Sequence, residues 1–269
     1  MVESLLNVSA SSYRNFESFP NSEFSQANPK LAQLIDNDSR LPIHWACAYN
    51  HVLVVTLLMN TKSFDPDVQD GSGWTPLMIA CSLKDGTGEA VVDLLLQKDA
   101  EVNVQSFSGQ TALHFATSKG NLDIVKKLIL HKASARVKDK RGQLALHRAA
   151  AVGSIPILRL LLENRSPVNA TDMDGMTALH HAISEGHGQV ALELLKAGAE
   201  TDKENVDGIR PIDMAPDSKA CSQLSVLRWK KCLTNMAGSE FCDSRSREGG
   251  YRPVKHNLSG LICSAKSSR

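Results

Sequence analysis

The chain has 269 residues, and its 42% hydrophobic and 5% aromatic content provides for one or two compact domains with cores of small aliphatic side chains. The charge is uneven: residues 228–269 hold nine Lys/Arg against three Asp/Glu, a net of +6, which leaves 21 against 26 upstream, a net of −5. The net negative charge of the residues before 228 makes them a poor binder of nucleic acid backbones, so we expect no nucleic acid partner. No apolar run approaches the ~20 residues of a membrane-spanning helix, so we expect no membrane partner.

The start of the chain lacks the basic and apolar stretches of a signal peptide, so we expect the protein in the cytoplasm and nucleus. Its six cysteines, at 47, 81, 221, 232, 242 and 263, are then predicted to be reduced thiols. Their spacing contains no Cys-x-x-Cys pair, which argues against a structural zinc site.

Residues 1–37 are predicted to be a degenerate first copy of the repeat that fills the middle of the chain. Residues 2–7 are typical of the end of a helix, and residues 27–32 are typical of the link that follows one. The stretch between them, 8–26, contains six serines and four aromatic residues without any period. We interpret 8–26 as an irregular segment inserted into a truncated repeat, and a retained intron would be one origin of it.

One hexad recurs six times between residues 41 and 215, in forms such as Thr111-Ala-Leu-His-Phe-Ala116 and Thr177-Ala-Leu-His-His-Ala182. Its third residue falls at 43, 77, 113, 146, 179 and 212, in steps of 34, 36, 33, 33 and 33, and a longer loop at 84–88 explains the 36. This pattern resembles the ankyrin repeat. It predicts an all-α solenoid of helix-turn-helix units with β-turn or hairpin tips, about six to seven repeats with a degenerate first one.

Residues 109–141 illustrate how one unit is expected to fold. Gly109 follows a turn tip, where a backbone without Cβ takes positive φ, and Thr111 is the expected N-cap of the first helix. Ala116 is small, so neighbouring helices can approach closely. The apolar stripe of the second helix consists of Ile124, Val125, Leu128 and Ile129. One unit cannot bury this stripe, so stacking of units supplies the stability.

The predicted ankyrin domain spans 38–228, with repeats at about 38–71, 72–107, 108–140, 141–173, 174–206 and 207–228. Pro216 ends the first helix of the last repeat early. Residues 229–269 lose the period and become basic and serine-rich, so we predict a disordered tail. Its charge suits RNA or acidic lipid, but a solvated tail without a partner is the preferred interpretation.

Four histidines, at 44, 114, 147 and 180, occupy the same position in four of the six units, and Met78 and Asp213 hold it in the other two. Stacked helices lie roughly 10 Å apart, whereas zinc ligands must lie within ~2 Å of one ion, so this row predicts no metal site. We expect these rings to hydrogen-bond the capping hydroxyl and the turn backbone of adjacent units. Cys47 and Cys81 share another position and are predicted to be small core residues.

No Gly-rich phosphate loop, nucleophile elbow or paired-carboxylate motif is present. We therefore expect no catalytic residue, no cofactor and no enzyme activity. The turn tips and first helices of such a stack line a concave face, where aromatic residues beside charges of both signs are typical of protein-binding surfaces. For Trp45 and Trp74, partner binding and packing between repeats both remain open. The residues predicted to bind a partner are Asp38, Arg40, Trp45, Asp70, Trp74, Phe115, Lys119, Arg148, Asp174 and Glu185.

Four stretches depart from the repeat consensus in a specific order. They are Asp38-Ser-Arg-Leu-Pro-Ile-His-Trp-Ala46, Gly71-Ser-Gly-Trp-Thr-Pro76, Leu146-His-Arg-Ala-Ala150 and Ser184-Glu-Gly-His-Gly188. Together they are similar to the gankyrin family, the non-ATPase regulatory subunit 10 of the 26S proteasome, in its fungal form. The likeness extends from about 27 to 218.

The resemblance implies a non-enzymatic chaperone for assembly of the 26S proteasome regulatory particle. Its concave face would grip the C-terminal domain of one proteasomal AAA ATPase subunit. Arg40 and Lys119 match contact positions of the family and would meet carboxylates of that domain. The acidic Asp38, Asp70 and Asp174 would meet basic groups of the same partner. We expect a monomer. The alternative to the chaperone function is a generic ankyrin adaptor, or an inhibitor of a kinase or transcription factor.

Overall fold

The computed structural model describes residues 32–62 and 64–214 of the chain. Within these ranges, ten α-helices follow one another as five pairs. The first helices of the pairs are α1 (Pro42–Ala48), α3 (Pro76–Cys81), α5 (Ala112–Ser118), α7 (Ala145–Val152) and α9 (Ala178–Ser184). The second helices are α2 (Val52–Met59), α4 (Glu89–Gln97), α6 (Leu122–Leu130), α8 (Ile155–Glu163) and α10 (Gly188–Lys196). The described residues also contain short 3₁₀ turns at Lys84–Gly86 and Pro211–Met214 and no β-strand.

The helices form two layers, because each helix packs on the equivalent helix of the next pair. In the inner layer, α1 packs on α3, α3 on α5, α5 on α7 and α7 on α9, and the 3₁₀ turn Pro211–Met214 packs on α9. The outer layer runs in the same way from α2 to α10. The predicted all-α repeat solenoid is confirmed.

The core lies between the two layers and follows the hexad. Its third residue is almost fully buried in every described helix pair, from Ile43 and Leu77 to Leu179. The alanine that closes the hexad is buried as well, and its small side chain lets neighbouring inner helices approach closely. Each pair therefore buries its apolar stripe against its neighbours, as the stacking argument requires.

A threonine, the residue type that caps helices through its hydroxyl, precedes the first helix in three of the five pairs, at 75, 111 and 177. The hydroxyl of Thr75 accepts a hydrogen bond from the backbone N–H of Met78 at 3.3 Å, and Pro76 occupies the first helical position. Pro fits there because the first N–H of a helix has no intrahelical partner. At Thr111 the hydroxyl instead lies 2.9 Å from Nδ1 of His114.

The turns before the inner helices are joined into a continuous row by backbone hydrogen bonds. The N–H of the turn residue in one repeat donates to a carbonyl of the preceding turn: Gly71 to Asp38 (2.8 Å), Phe107 to Ser72 (3.0 Å), Lys140 to Ser108 (2.9 Å), Met173 to Arg141 (2.9 Å) and Val206 to Asp174 (3.0 Å). Gly109 lies at φ +78°, and a Cβ on it would approach the backbone nitrogen of Lys140 to 2.8 Å. Glycine is thus required there on two counts.

The one irregular spacing of the hexads has a structural cause. The 3₁₀ turn Lys84–Gly86 fills the predicted longer loop between α3 and α4. The N–H of Gly86 donates to Oδ1 of Asn121 in the next repeat at 3.0 Å, so the loop is tied to the stack. The predicted segment 8–26, Pro216 and the predicted tail 229–269 lie outside the described residues.

Candidate functional site

A cleft of about 370 Å³ opens on the inner layer, beside α1 and α3 and the turns that precede them. Residues of its wall include Arg40, Trp45, Asp70, Ser72, Trp74 and Ile79. Four of the ten predicted binding residues therefore surround one cleft. We refer to it as the first cleft.

Arg40 lies at the rim of the first cleft between two carboxylates. Its Nε is 3.5 Å from Oδ2 of Asp70, and its Nη1 is 3.5 Å from Oδ2 of Asp38. The guanidinium carbon lies 5.0 Å from the centre of the Trp45 ring, which gives a cation–π contact. A guanidinium has five N–H donors, so these two long contacts leave Arg40, 34% exposed, able to bind a further carboxylate.

A turn carboxylate recurs in the row of turns, and it is buried at Asp70, Asp139 and Asp172 but exposed at Asp36. In Asp36, Asp70, Asp139 and Asp172, Oδ1 accepts the backbone N–H groups of the residues two and four positions later. Asn205 uses its side-chain oxygen in the same way. Each of these side chains therefore fixes the shape of its turn. We call the four aspartates the turn carboxylates.

The second oxygen of a turn carboxylate binds a side chain of the inner helix nine residues later. Oδ2 accepts from Trp45 Nε1 at Asp36 (2.9 Å), from Arg148 Nη2 at Asp139 (3.1 Å) and from His181 Nε2 at Asp172 (3.1 Å). Nine residues after Asp70 stands Ile79, whose side chain has no hydrogen-bond donor. Oδ2 of Asp70 instead lies 3.5 Å from Nε of Arg40. This network was not among the sequence predictions, although the nine-residue spacing between each aspartate and its donor is visible in the sequence.

Two of the predicted binding residues are buried. The Asp70 side chain is 5% exposed because one oxygen closes its own turn and the other faces Arg40. Phe115 is 9% exposed because its ring packs on Trp74, with ring centres 4.1 Å apart. Phe115 is among the residues predicted to bind a partner, but its ring faces the neighbouring repeat rather than solvent. Of the two interpretations of Trp74, packing between repeats accounts for this contact.

The other predicted residues lie along the inner layer, away from the first cleft. Arg148 is held by Asp139 and is 26% exposed. Lys119 and Glu185 are exposed and directly follow α5 and α9. Asp174 is 62% exposed on its turn, 4.0 Å from Nη2 of Arg141. The structure thus places these groups in successive repeats and does not gather them at one point.

The four hexad histidines are buried and hydrogen-bonded at both ring nitrogens. Nδ1 accepts the backbone N–H of the residue before the helix, at 2.9–3.1 Å. Nε2 lies 3.1–3.2 Å from a backbone oxygen 23–29 residues further along the chain. Since Nδ1 is an acceptor, the ring is the neutral tautomer that carries its proton on Nε2. The predicted hydrogen bonds to the backbone of the adjacent unit are confirmed for all four rings. The predicted contact with a capping hydroxyl is confirmed at Thr111 and Thr177.

The environment of these rings keeps them uncharged. Burial lowers the pKa of His44, His114 and His180. Burial, together with the nearby His181 ring, lowers the pKa of His147 to about 4. Burial alone would raise the pKa of Asp172, but hydrogen bonds from His181, Gln143 and the Met176 N–H hold it below its usual value. Asp172 therefore remains an anion beneath the His181 ring.

The remaining sequence predictions about chemistry concern thiols, metals and membranes. Cys47 and Cys81 are fully buried, and burial raises the pKa of both thiols far above the usual value, so they are protonated core residues. Among the described residues, no three His, Cys, Asp or Glu side chains are grouped so that they could hold a metal ion. In the same part of the chain, no helix has the length and apolarity needed to cross a bilayer.

Several characterised proteins are similar to this chain over part of its length. It is 38% identical to the Probable 26S proteasome regulatory subunit p28 of Saccharomyces cerevisiae over 116 residues, which cover 42% of this chain and 50% of that protein. An ankyrin repeat-containing protein of Schizosaccharomyces pombe is 37% identical over 103 residues, 38% of this chain and 44% of that protein.

The SMC5-SMC6 complex localization factor protein 1 of Homo sapiens is 38% identical over 91 residues, 33% of this chain and 8% of that protein. The chain thus spans half or less of the length of each of these relatives. A family model described as ankyrin repeats (3 copies) matches residues 23–106, 43–139, 88–172 and 113–205, which together cover more than half of the chain. This match agrees with the five helix pairs, and the chain therefore belongs to the ankyrin repeat family, whose stacked repeats form protein-binding modules.

Proposed function

We propose that this ankyrin module is a non-enzymatic chaperone for assembly of the 26S proteasome regulatory particle. Its concave face, formed by the inner helices and their turns, grips the C-terminal domain of one proteasomal AAA ATPase subunit. While bound, it obstructs premature docking of that subunit on the proteolytic core. The observation that carries the proposal is the similarity to the yeast protein named as a proteasome regulatory subunit, 38% identical over half of that protein.

The first cleft supplies the chemistry of this grip. Arg40 stands at its rim with unused N–H donors, and the indole of Trp45 covers one face of the guanidinium. A planar guanidinium binds a carboxylate through two parallel hydrogen bonds, which favours an acidic residue of the partner at this point. Asp70 holds Arg40 in place from below, so its burial is consistent with a supporting role rather than a direct contact.

Exposed charges extend the contact beyond the first cleft. Lys119 makes no ion pair with the described residues and offers a second cation for the ATPase domain. Asp38, Asp174 and Glu185 are exposed acids that suit basic groups on the same domain. A partner that matched these charges in order along the repeats would be selected over other helical domains. The proposal includes a monomer in the cytoplasm and nucleus.

The test is direct titration of the purified full chain against the purified C-terminal domain of each base-ring ATPase subunit by isothermal calorimetry. We expect one domain to bind, and we expect Arg40→Glu to weaken that binding by ~1–3 kcal/mol, with affinity falling as salt rises. Lys98→Glu is the matched control, since it makes the same change of charge at an exposed residue that directly follows the outer helix α4.

If every ATPase domain fails to bind, the proposed partner is wrong. If a domain binds and both charge reversals weaken it equally, the assignment to the concave face is wrong. The alternative is an adaptor or an inhibitor of a kinase or transcription factor, and the adaptor is supported by comparable identity to a protein named for a different complex. Affinity purification with mass spectrometry separates the two, because only the first recovers proteasomal base subunits.

A further inference from the structure

Three large apolar side chains project from the row of turns. Phe107 is 60% exposed, Met173 is 73% exposed and Val206 is 70% exposed. Isolated exposed apolar residues are ordinary, but these three occupy the same position of their turns, each directly after the residue that closes the turn. Lys140 holds that position in the repeat between Phe107 and Met173. We call these four residues the tip row.

The tip row is rigid. The backbone N–H of each member donates to a carbonyl of the preceding turn at 2.9–3.0 Å. The Phe107 ring also lies against the preceding turn, since a Cβ on Gly73 would come within 2.6 Å of its Cδ1. The backbone of the tip row is therefore already held in place, so a partner that binds it loses less backbone conformational entropy than one that binds a free loop.

The spacing of the tip row matches a helix and does not match a strand. Neighbouring repeats are about 10 Å apart, and seven residues of α-helix rise ~10.5 Å and return to nearly the same face. A strand presents side chains on one face ~7 Å apart, which loses register after one repeat. In addition, the N–H groups of the tip row are already bonded within the row, so an added strand would find no free donors there.

Charge fixes the register of such a helix. Lys140 is exposed and makes no ion pair with the described residues, and Arg141 follows it on the same turn. Asp174 follows Met173, and Asp207 follows Val206. The order of the tip row is thus apolar, basic, apolar, apolar, with acidic neighbours beside the last two. A complementary helix places a carboxylate opposite Lys140 and apolar residues opposite the other three.

We infer that the tip row docks an amphipathic helix of a partner protein that presents three apolar side chains and one carboxylate at seven-residue intervals. The helix lies along the edge of the stack, across four repeats. The tip row belongs to the turns of the concave face, so the inference deepens the proposed function by adding a contact outside the first cleft, which none of the tip-row residues lines. It holds for any partner that carries such a helix, whether or not that partner is a proteasomal ATPase.

The experiment uses the full chain and fluorescein-labelled helical peptides of about 28 residues in a neutral Ala/Gln background. The peptide has four contact positions seven residues apart, with Leu at the first, third and fourth and Glu at the second. A second peptide carries these four residues in the reverse order. Fluorescence anisotropy should give saturable binding of one of the two peptides with Kd of ~10–100 μM. A peptide of the same composition, with the contact residues five apart, should bind at least ~10-fold more weakly.

Three variants in the tip row and one control variant on an outer helix locate the contact. Met173→Glu and Val206→Glu should each weaken the peptide by ~10-fold, whereas Leu130→Glu, at a 79% exposed apolar residue of the outer helix α6, should not. Lys140→Glu should weaken the Glu peptide and strengthen a peptide with Lys in its place. The inference is overturned if neither order binds up to about 1 mM, if spacing makes no difference, or if the Leu130 variant loses as much as the other two. None of these results depends on ATPase binding.

Discussion

Asp139 and Arg148 lie nine residues apart in the sequence and meet in the fold, where Nη2 of Arg148 donates to Oδ2 of Asp139 at 3.1 Å. The other oxygen of Asp139 accepts the backbone N–H groups of Arg141 and Gln143. One buried carboxylate therefore closes a turn and fixes the inner helix that follows. The same relationship at Asp36 and Asp172 makes it a property of the repeat rather than of one position.

Asp139→Ala should destabilise the protein by ~2–3 kcal/mol, because it leaves the buried N–H of Gln143, the N–H of Arg141 and the Arg148 guanidinium without their acceptor. Urea unfolding followed by circular dichroism measures the effect. Asp174→Ala removes an exposed carboxylate from the next turn and should cost less than ~0.5 kcal/mol. Equal losses for the two variants would mean that the turn carboxylate has no special role.

Acid should destabilise the fold through the hexad histidines. Burial lowers the pKa of these rings in the folded state, so the unfolded chain binds protons first as the pH falls. The stabilisation is complete above an unfolded pKa of about 6.5 and is lost progressively below it. For His147, with a pKa of about 4, the loss reaches ~3 kcal/mol at pH 4.

The measurement is the free energy of unfolding between pH 7 and pH 4 for the parent, for His147→Gln and for Leu161→Ala. The His147 variant should show a shallower decline than the parent. The Leu161 variant is also destabilised but keeps all four rings, so its decline should parallel that of the parent. A parent stability that stays constant from pH 7 to pH 4 contradicts the assignment of neutral buried rings.

Much of the fold could be predicted from the sequence, because the hexad recurs at steps of 33 to 36 residues. The period places Leu113, Leu146 and Leu179 in one core position and His114, His147 and His180 beside them. The buried state of Phe115 could not be predicted in this way. Its position in the hexad is occupied by Trp45, Arg148 and His181 in other repeats, so the period says where the residue lies but not what covers it. Only the contact with Trp74 decides that.

The first cleft was predictable in part. Sequence analysis placed Arg40, Trp45 and Trp74 on the concave face, and they lie at one cleft. It treated Asp70 as a free acid, because a carboxylate that closes a turn and one that faces solvent have the same sequence appearance. The distinguishing signal is the donor nine residues later, and at Asp70 that signal is absent because Ile79 stands there.

The inter-repeat packing sets the scale of stability. Leu161 of α8 is fully buried between outer helices, so Leu161→Ala should cost ~2–5 kcal/mol. Leu130 of α6 is 79% exposed, and Leu130→Ala should cost less than ~0.5 kcal/mol. Chemical denaturation of both variants provides the comparison. Similar losses at the two leucines would contradict the position of the core.

The thiols of Cys47 and Cys81 should be unreactive in the folded protein, because they are fully buried and protonated. The test uses a variant in which cysteines 221, 232, 242 and 263 are replaced by serine, so that only these two thiols remain. Labelling by iodoacetamide should follow the rate of global unfolding. Rapid labelling in native buffer would show that the inner helices open on their own.

Amide hydrogen exchange of the full chain, with and without the C-terminal domain of the proposed ATPase partner, tests the central claim most directly. Protection should increase in the inner helices α1, α3 and α5 and in the turns that precede them, while the outer helices α2, α4 and α6 keep their exchange rates. Protection confined to the outer helices, or no change anywhere in the repeats, would contradict a protein-binding concave face.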